Sequence, residues 1–325
     1  MIARLKRFRC LAAATPLIFA LASVAFAQAP YPSRTITLVL PFAAGSGTDT
    51  TTRIISKELG TALGVGMVVD NKAGANGSIA ASYVARSAPD GYTLCVTTNT
   101  SHSANPYLLK NMSYDPVKDF TPIARTGDLP FMLVIHPDIP ANSVAELIAL
   151  AKKEPGKYSY ASGSSSAIVS GATFARLAGI DLLHVPYKSS PPALTDVIAG
   201  RVSMMFIDVP TGLPHVNGKA LKALAVTTKK PSALLPDLPT MDNTVKGFDI
   251  TSWQGYLGPA NMPKDIVVKL NAEIRKIIER PDIKNQLAER GMEAFSGTPE
   301  EFDAFLKEQL VLWEKLIADA GIEKQ

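Results

Sequence analysis

The sequence predicts an α/β protein of two domains, each a largely parallel sheet flanked by helices. Three observations carry that expectation. Apolar β-branched runs alternate with stretches of helical periodicity, the pattern of β-α units whose strands pair in parallel. A loop of small residues between strand and helix occurs twice, at 45–49 and again at 162–166. And 298 of the 325 residues remain once an apolar leader is set aside, a length at which one core tends to divide.

The leader comes first. Residues 1–10 are basic, with Arg4, Lys6, Arg7 and Arg9. Residues 11–27 are apolar and uncharged, broken by Pro16, and end in Ala25-Phe26-Ala27 ahead of Gln28. That is the charge, core and A-x-A pattern of an export signal cleaved after Ala27. The stretch is shorter than the ~20 residues a membrane span needs. Cys10 has no apolar run before it and is not a lipid-attachment cysteine. No later segment offers 18 uncharged apolar residues, so the mature protein is expected to be soluble outside the inner membrane.

Residues 35–42 (TITLVLPF) form a buried strand. Gly45-Ser46-Gly47-Thr48-Asp49 follows, and then Ile54, Ile55, Leu59 and Leu63 mark a helix ending at Gly64. Residues 67–70 make a short strand. Gly74 to Ser78 open a second helix, and 92–98 form a third strand after the turn Pro89-Asp90-Gly91. Residues 105–140 are irregular, with Pro106, Pro116, Pro122, Pro130, Pro137 and Pro140. Ser143 and Glu146 make a capping box for a helix over 144–153. Strands at 157–161, 182–186, 202–207 and 223–227 continue the second module, with helices from Ser166 to Ala178 and through Ala193, Leu194, Val197 and Ile198. The C-terminal third is mainly helical. Ile266, Val267, Leu270, Ile274, Ile277 and Ile278 form one stripe, and Thr298-Pro299-Glu300-Glu301 starts a last helix that ends at Gly321, with Trp313 in its core face.

Several chemistries are excluded. Removing the leader's four bases leaves 29 basic and 29 acidic residues, without the basic footprint nucleic acid requires. His102, His136, His184 and His215 lack zinc spacing, and Cys95 is the one cysteine left after cleavage, so neither a metal site nor an internal disulfide is expected. No P-loop, dinucleotide fingerprint or nucleophile elbow occurs, and no cofactor is expected. Adjacent Ser101 and His102 leave a secreted hydrolase as the rival reading. The two small-residue loops remain. Each sits where a strand ends and a helix begins, where free N–H groups and the helix dipole favour an anion. Paired across a cleft, they suit a ligand with two acidic or polar ends.

These stretches resemble the Bug (TctC-like) family of periplasmic solute-binding proteins, which serve tripartite tricarboxylate transporters and related uptake systems. The resemblance covers the whole mature chain. It rests on Tyr31-Pro32 with TITLVLPFAAGSGTD, then DNKAGANGS, APDGYTL, HVPYKSSPPALTDVIAGRVSMMF, LKALAVTT, LLPDLPT and GTPEEF. It implies a two-domain Venus-flytrap of the type II binding-protein class, with parallel or mixed sheets. The first domain is expected to hold 30–128 and 228–325, the second 129–227. The resemblance also implies carboxylates held by backbone amides, hydroxyls and ordered waters. The first-domain cradle is then Phe42, Ala43, Ala44, Gly45, Ser46, Gly47, Thr48 and Asp49. The third-strand loop supplies Thr98, Asn99, Thr100 and Ser101. The second-domain loop is Ser162, Gly163, Ser164, Ser165 and Ser166, with Tyr187 and Asp208 at later strand ends. Asp49 is expected to cap its helix, whereas Asp208 is left as either an amine ligand or a rim carboxylate. Members often have three glycines at Gly45-Ser46-Gly47, Arg at Lys72, His near Ile168, and Asp-Asn at Ile207-Asp208. The last two departures make the second-domain half less polar and favour a larger or aromatic acid over a small dicarboxylate. The implied partners are a small-molecule organic acid and inner-membrane transporter subunits, and the chain is expected to be a monomer. A ligand-sensing subunit for a membrane signalling partner is a third reading.

Overall fold

The computed structural model describes residues 30–324, so the leader and its cleavage site lie outside the described residues. In chain order, β1 (Ile36–Leu40), α1 (Gly47–Leu63), β2 (Met67–Asn71), α2 (Ser78–Ala85) and β3 (Thr93–Thr98) form the first β-α units. Helix α1 stops at Gly64, where φ of 69° makes a left-handed C-cap. After β3 the chain makes a single π-helical stretch, Thr100–Ala104, and the short α3 (Asn105–Leu108). Strands β4 (Phe120–Leu129) and β5 (Phe131–Ile135) follow, then α4 (Val144–Lys153), β6 (Ser159–Ser162), α5 (Ser165–Ala178), β7 (Leu183–Pro186), α6 (Ser190–Ile198), β8 (Met204–Asp208), α7 (Val209–Asn217) and β9 (Lys222–Val226). The rest is α8 (Met241–Thr244), β10 (Ser252–Pro259), α9 (Lys264–Glu279), α10 (Pro281–Glu289), β11 (Glu293–Ala294) and α11 (Pro299–Asp319).

The strands make two mixed sheets, in the orders β11-β4-β10-β3-β1-β2 and β7-β6-β8-β5-β9. Parallel pairing of β1 with β2 and β3, and of β6 with β7 and β8, is what the β-α alternation dictates. The antiparallel members are the strands that carry the chain between sheets. β5 enters the second sheet directly after Pro130, and β10 returns to the first between β3 and β4. Leu38 and Leu40 of β1 pack on Ile55 and Leu59 of α1 and Leu270 and Ile274 of α9 in one core. Leu133 and Ile135 of β5, Phe206 of β8 and Phe174 of α5 lie in another. Cys95 is buried in β3 as a free thiol that burial pushes up to about 12.

Two features depart from the sequence reading. The irregular stretch 105–140 contains β4 and β5. Pro122 sits within β4 because β11 pairs only with Gly127 and Asp128, leaving the outer edge at residue 122 without a partner that needs its N–H. The mainly helical last third contains β10, a central strand. Met241, Val245, Phe248 and Ile250 bury in the core of the second sheet, and the chain pairs with the first sheet again at Ser252.

Candidate functional site

The first loop is stiffened by its own acid. Ser46, in extended conformation, caps α1 by accepting from the Asp49 amide at 3.3 Å. Asp49 is buried, and its oxygens accept from Gly45 N, Arg53 Nε and Asn71 Nδ2, all at 3.0 Å. Burial alone would raise its pKa, but the bonds from Arg53, Gly45 and Asn71 outweigh that and hold it below the ordinary carboxylate range. Asn71 also donates to the Phe42 carbonyl at 2.9 Å, tying the loop to the end of β2. Asp49 is thus a cap and a brace.

The second lobe repeats the device without the acid. Ser164 caps α5 by accepting from the Ala167 amide at 3.3 Å. A Cβ on Gly163 would come 2.2 Å from the Ser189 carbonyl carbon, so glycine lets the start of α6 lie against this loop. Asp208 ends β8 and caps α7, its Oδ1 accepting from Thr211 N at 3.0 Å and Thr211 Oγ1 at 2.6 Å. Burial pushes its pKa up, partly offset by the bonds from Thr211 and by the nearby Gly47 amide.

The lobes meet across these loops. Ala43 N donates to Ser189 Oγ at 3.1 Å, Asn99 Nδ2 to Ser166 Oγ at 2.8 Å, and Ser165 N to Thr100 Oγ1 at 3.3 Å. Between them lies a cavity of about 20 Å³ lined by Phe42, Ser46, Thr48, Thr100, Leu129, Phe131, Ser164, Ser190, Asp208 and Ser252. Six of these carry hydroxyls, and no Lys, Arg or His stands among them. Four of the hydroxyls belong to the N-terminal ends of α1, α5 and α6. Leu129 and Phe131, on either side of the Pro130 crossing, form the apolar part with Phe42.

Of the residues singled out in the sequence, Phe42, Ser46, Thr48, Thr100, Ser164 and Asp208 line this cavity. The others do not. Ala43 and Gly45 have their amides on Ser189 and Asp49, Gly47 lies against Asp208, and Ala44 is in the same loop. Two amides of the expected cradle are therefore satisfied by the protein's own oxygens, and residues bearing hydroxyls line the cavity. Thr98 accepts from the Thr100 amide, and Asn99 joins Ser166 to Ser252. Ser162 shares a hydrogen bond with His184 Nε2 at 2.6 Å, and Tyr187 donates to Asp196 at 2.6 Å, so neither hydroxyl is presented to the cavity. Ser165 Oγ is buried without a partner.

Leu129, Phe131, Ser190 and Ser252 were missed. Only Ser190 carried a signal, as the serine that opens a helix ahead of two prolines. The rival Ser101–His102 pair is also placed. The hydroxyl lies 3.0 Å from Nδ1, but both residues are buried outside the cavity, and burial pushes the imidazole down to about 3. That leaves a poor base with no access to a substrate in the cleft.

Residues 51–322 match the family model described as the tripartite tricarboxylate transporter family receptor. A Pseudomonas sp. (strain P51) protein described as a UPF0065 protein in the tcbD-tcbE intergenic region is 35% identical over 89% of this chain and 87% of its own length. Among solved structures, R. palustris Rpa4515 with adipate is 34% identical, covers 91% of this chain and 100% of that one, and superposes with a TM-score of 0.89. MatC from Rhodopseudomonas palustris with bound malate is 30% identical, with coverage of 88% and 100% and a TM-score of 0.83.

Proposed function

The chain belongs to the tripartite tricarboxylate transporter family of receptors, and from that premise we propose that it captures a small organic acid between its lobes and delivers it to transporter subunits in the inner membrane. It is exported, cleaved after Ala27, and acts as a periplasmic monomer without cofactor or metal. The lobes that close on the acid are 30–129 with 252–324, and 131–251.

One observation carries the reading: six hydroxyls, four of them on helix N-termini, ring a single cavity at the contact of the two lobes. Ser252 donates to Asn99 Oδ1, the other five hydroxyls can donate to a carboxylate, and helix N-termini favour its charge without any fixed cation. The similar proteins solved with adipate and with malate support an organic acid as the ligand. Mass spectrometry of small molecules retained by the purified protein, followed by a thermal-shift panel of carboxylates, tests it. A cognate acid at 100 times its Kd adds about 2.7 kcal/mol of stability. If no carboxylate raises the melting temperature, the reading fails.

A further inference from the structure

Among the described residues, the lining of the cavity holds one carboxylate and no cation. Among the ten residues lining the cavity, Asp208 is the sole charged side chain. It is fixed in place, since Oδ1 is held by Thr211 N at 3.0 Å and by Thr211 Oγ1 at 2.6 Å. Gly47 confirms how closely the two lobes meet there. A Cβ on it would stand 2.0 Å from Asp208 Oδ1, yet its φ is not in the left-handed region, so glycine serves space and not backbone conformation. The start of α1, which would otherwise receive the ligand's anionic end, receives Asp208 in its place.

Taking the proposed function as the starting point, we propose that Asp208 sets the ligand class: the acid bound here carries one carboxylate, and its far end is a hydrogen-bond donor, a hydroxyl, amide or ammonium group, in place of a second carboxylate. A carboxylate has about four acceptor positions, so the two bonds from Thr211 leave Asp208 able to accept from a ligand. The ligand's single carboxylate is held by the hydroxyls of the opposite wall. A second carboxylate would face Asp208 in a partly desolvated site where like charges repel strongly and no cation relieves them.

The test is calorimetry on the mature protein with matched unbranched acids of about four to eight carbons: the dicarboxylate, the ω-hydroxy acid and the ω-amino acid of each length. Wild type is set against Asp208→Asn, which keeps a side-chain oxygen to cap α7. At the best chain length, wild type is expected to bind the hydroxy or amino acid about tenfold or more tightly than the dicarboxylate, and Asp208→Asn to shrink that gap to about threefold or less. A wild type that binds the dicarboxylate as tightly as the others overturns the inference, as does a gap unchanged in Asp208→Asn. Adipate bound better by wild type than by Asp208→Asn would mean a protonated Asp208 donating to a second carboxylate, and also overturns it. Should Asp208→Asn fail to fold, the wild-type ranking decides alone. If no acid of any length binds either protein, the carboxylate reading itself falls and takes the inference with it, a result distinct from a wrong ranking.

Discussion

The imidazole of His102 lies edge-on to Phe120, 4.5 Å between centroids, and shares its Nδ1 with the hydroxyls of Thr97 and Ser101. Its Nε2 is buried without a partner. Burial penalises the charged ring and sets its pKa at about 3 against 6.5 in the unfolded chain. Between those values the unfolded state binds a proton that the folded state refuses, so stability is complete above about pH 6.5 and falls as pH drops. The loss is about 1.4 kcal/mol per pH unit, or roughly 2 kcal/mol by pH 5. His184, also lowered by burial, adds in the same direction. Urea titrations at pH 7 and pH 5 on wild type and His102→Gln separate the two. The variant is expected to lose most of the dependence, and equal slopes would show that His102 is protonated at little cost. The same residue shows what a sequence conceals at this scale. Adjacent Ser101 and His102 name a possible pair, but only packing says that both are sealed behind Tyr114 and Phe120. Likewise Tyr187 and Ser162 stand at strand ends, where ligand groups are expected, and are claimed by Asp196 and His184.

At the scale of elements, α11 joins what the sheets divide. Its N-terminus is fixed by a complete capping box, Glu301 N donating to Thr298 Oγ1 at 3.1 Å and Thr298 N to Glu301 Oε2 at 2.7 Å. Phe302 and Leu306 bury with Val39 and Trp253 of the first sheet, while Trp313 and Ile317 bury with Phe131 and Leu133 of the second. One amphipathic helix therefore belongs to two cores. Trp313→Ala, which opens a cavity in the second, is expected to cost about 3–5 kcal/mol, and Thr298→Ala about 1 kcal/mol. Denaturant unfolding that ranked them the other way would mean the helix is held mainly at its start. The cap, Pro299 and Trp313 were all legible in the sequence, because capping boxes and apolar spacing are local signals. So were the ends of α1 at Gly64 and α5 at Ala178, fixed by glycines in left-handed conformation. Strands β4 and β10 were not. Their residues include Pro122, Gly127, Gly255 and Gly258, which argue against a strand locally, and only the free edge at Pro122 and the close approach of Phe302 to Gly255 and Met262 to Gly258 make them fit. Tertiary neighbours override local propensity there.

For the whole molecule, the geometry of the cleft makes motion a requirement. With the lobes in contact the cavity is about 20 Å³, near the space of one water molecule and far below that of any organic acid. Loading an acid must therefore separate the lobes at the bonds from Ala43 to Ser189, Asn99 to Ser166 and Ser165 to Thr100. Net worth of about 1 kcal/mol each makes such a set breakable by thermal motion and open to competition from a ligand. The movement has a natural pivot, since Leu129, Phe131 and Ser252 flank the two crossings and line the cavity at the same time. An acid that touches hydroxyls of both lobes makes its full set of contacts only when they close, and so draws the population toward the closed form. Small-angle scattering measures this directly. Removing two of the cross-lobe bonds with Ser166→Ala and Ser189→Ala should enlarge the radius of gyration of the unliganded protein, and a saturating cognate acid should bring it back toward the wild-type closed value. The acid must be shown to bind by calorimetry under the same conditions. If it binds while the radius of gyration stays the same in both wild type and the double variant, the lobes do not hinge on this cleft, and ligand enters by a local rearrangement of the loops.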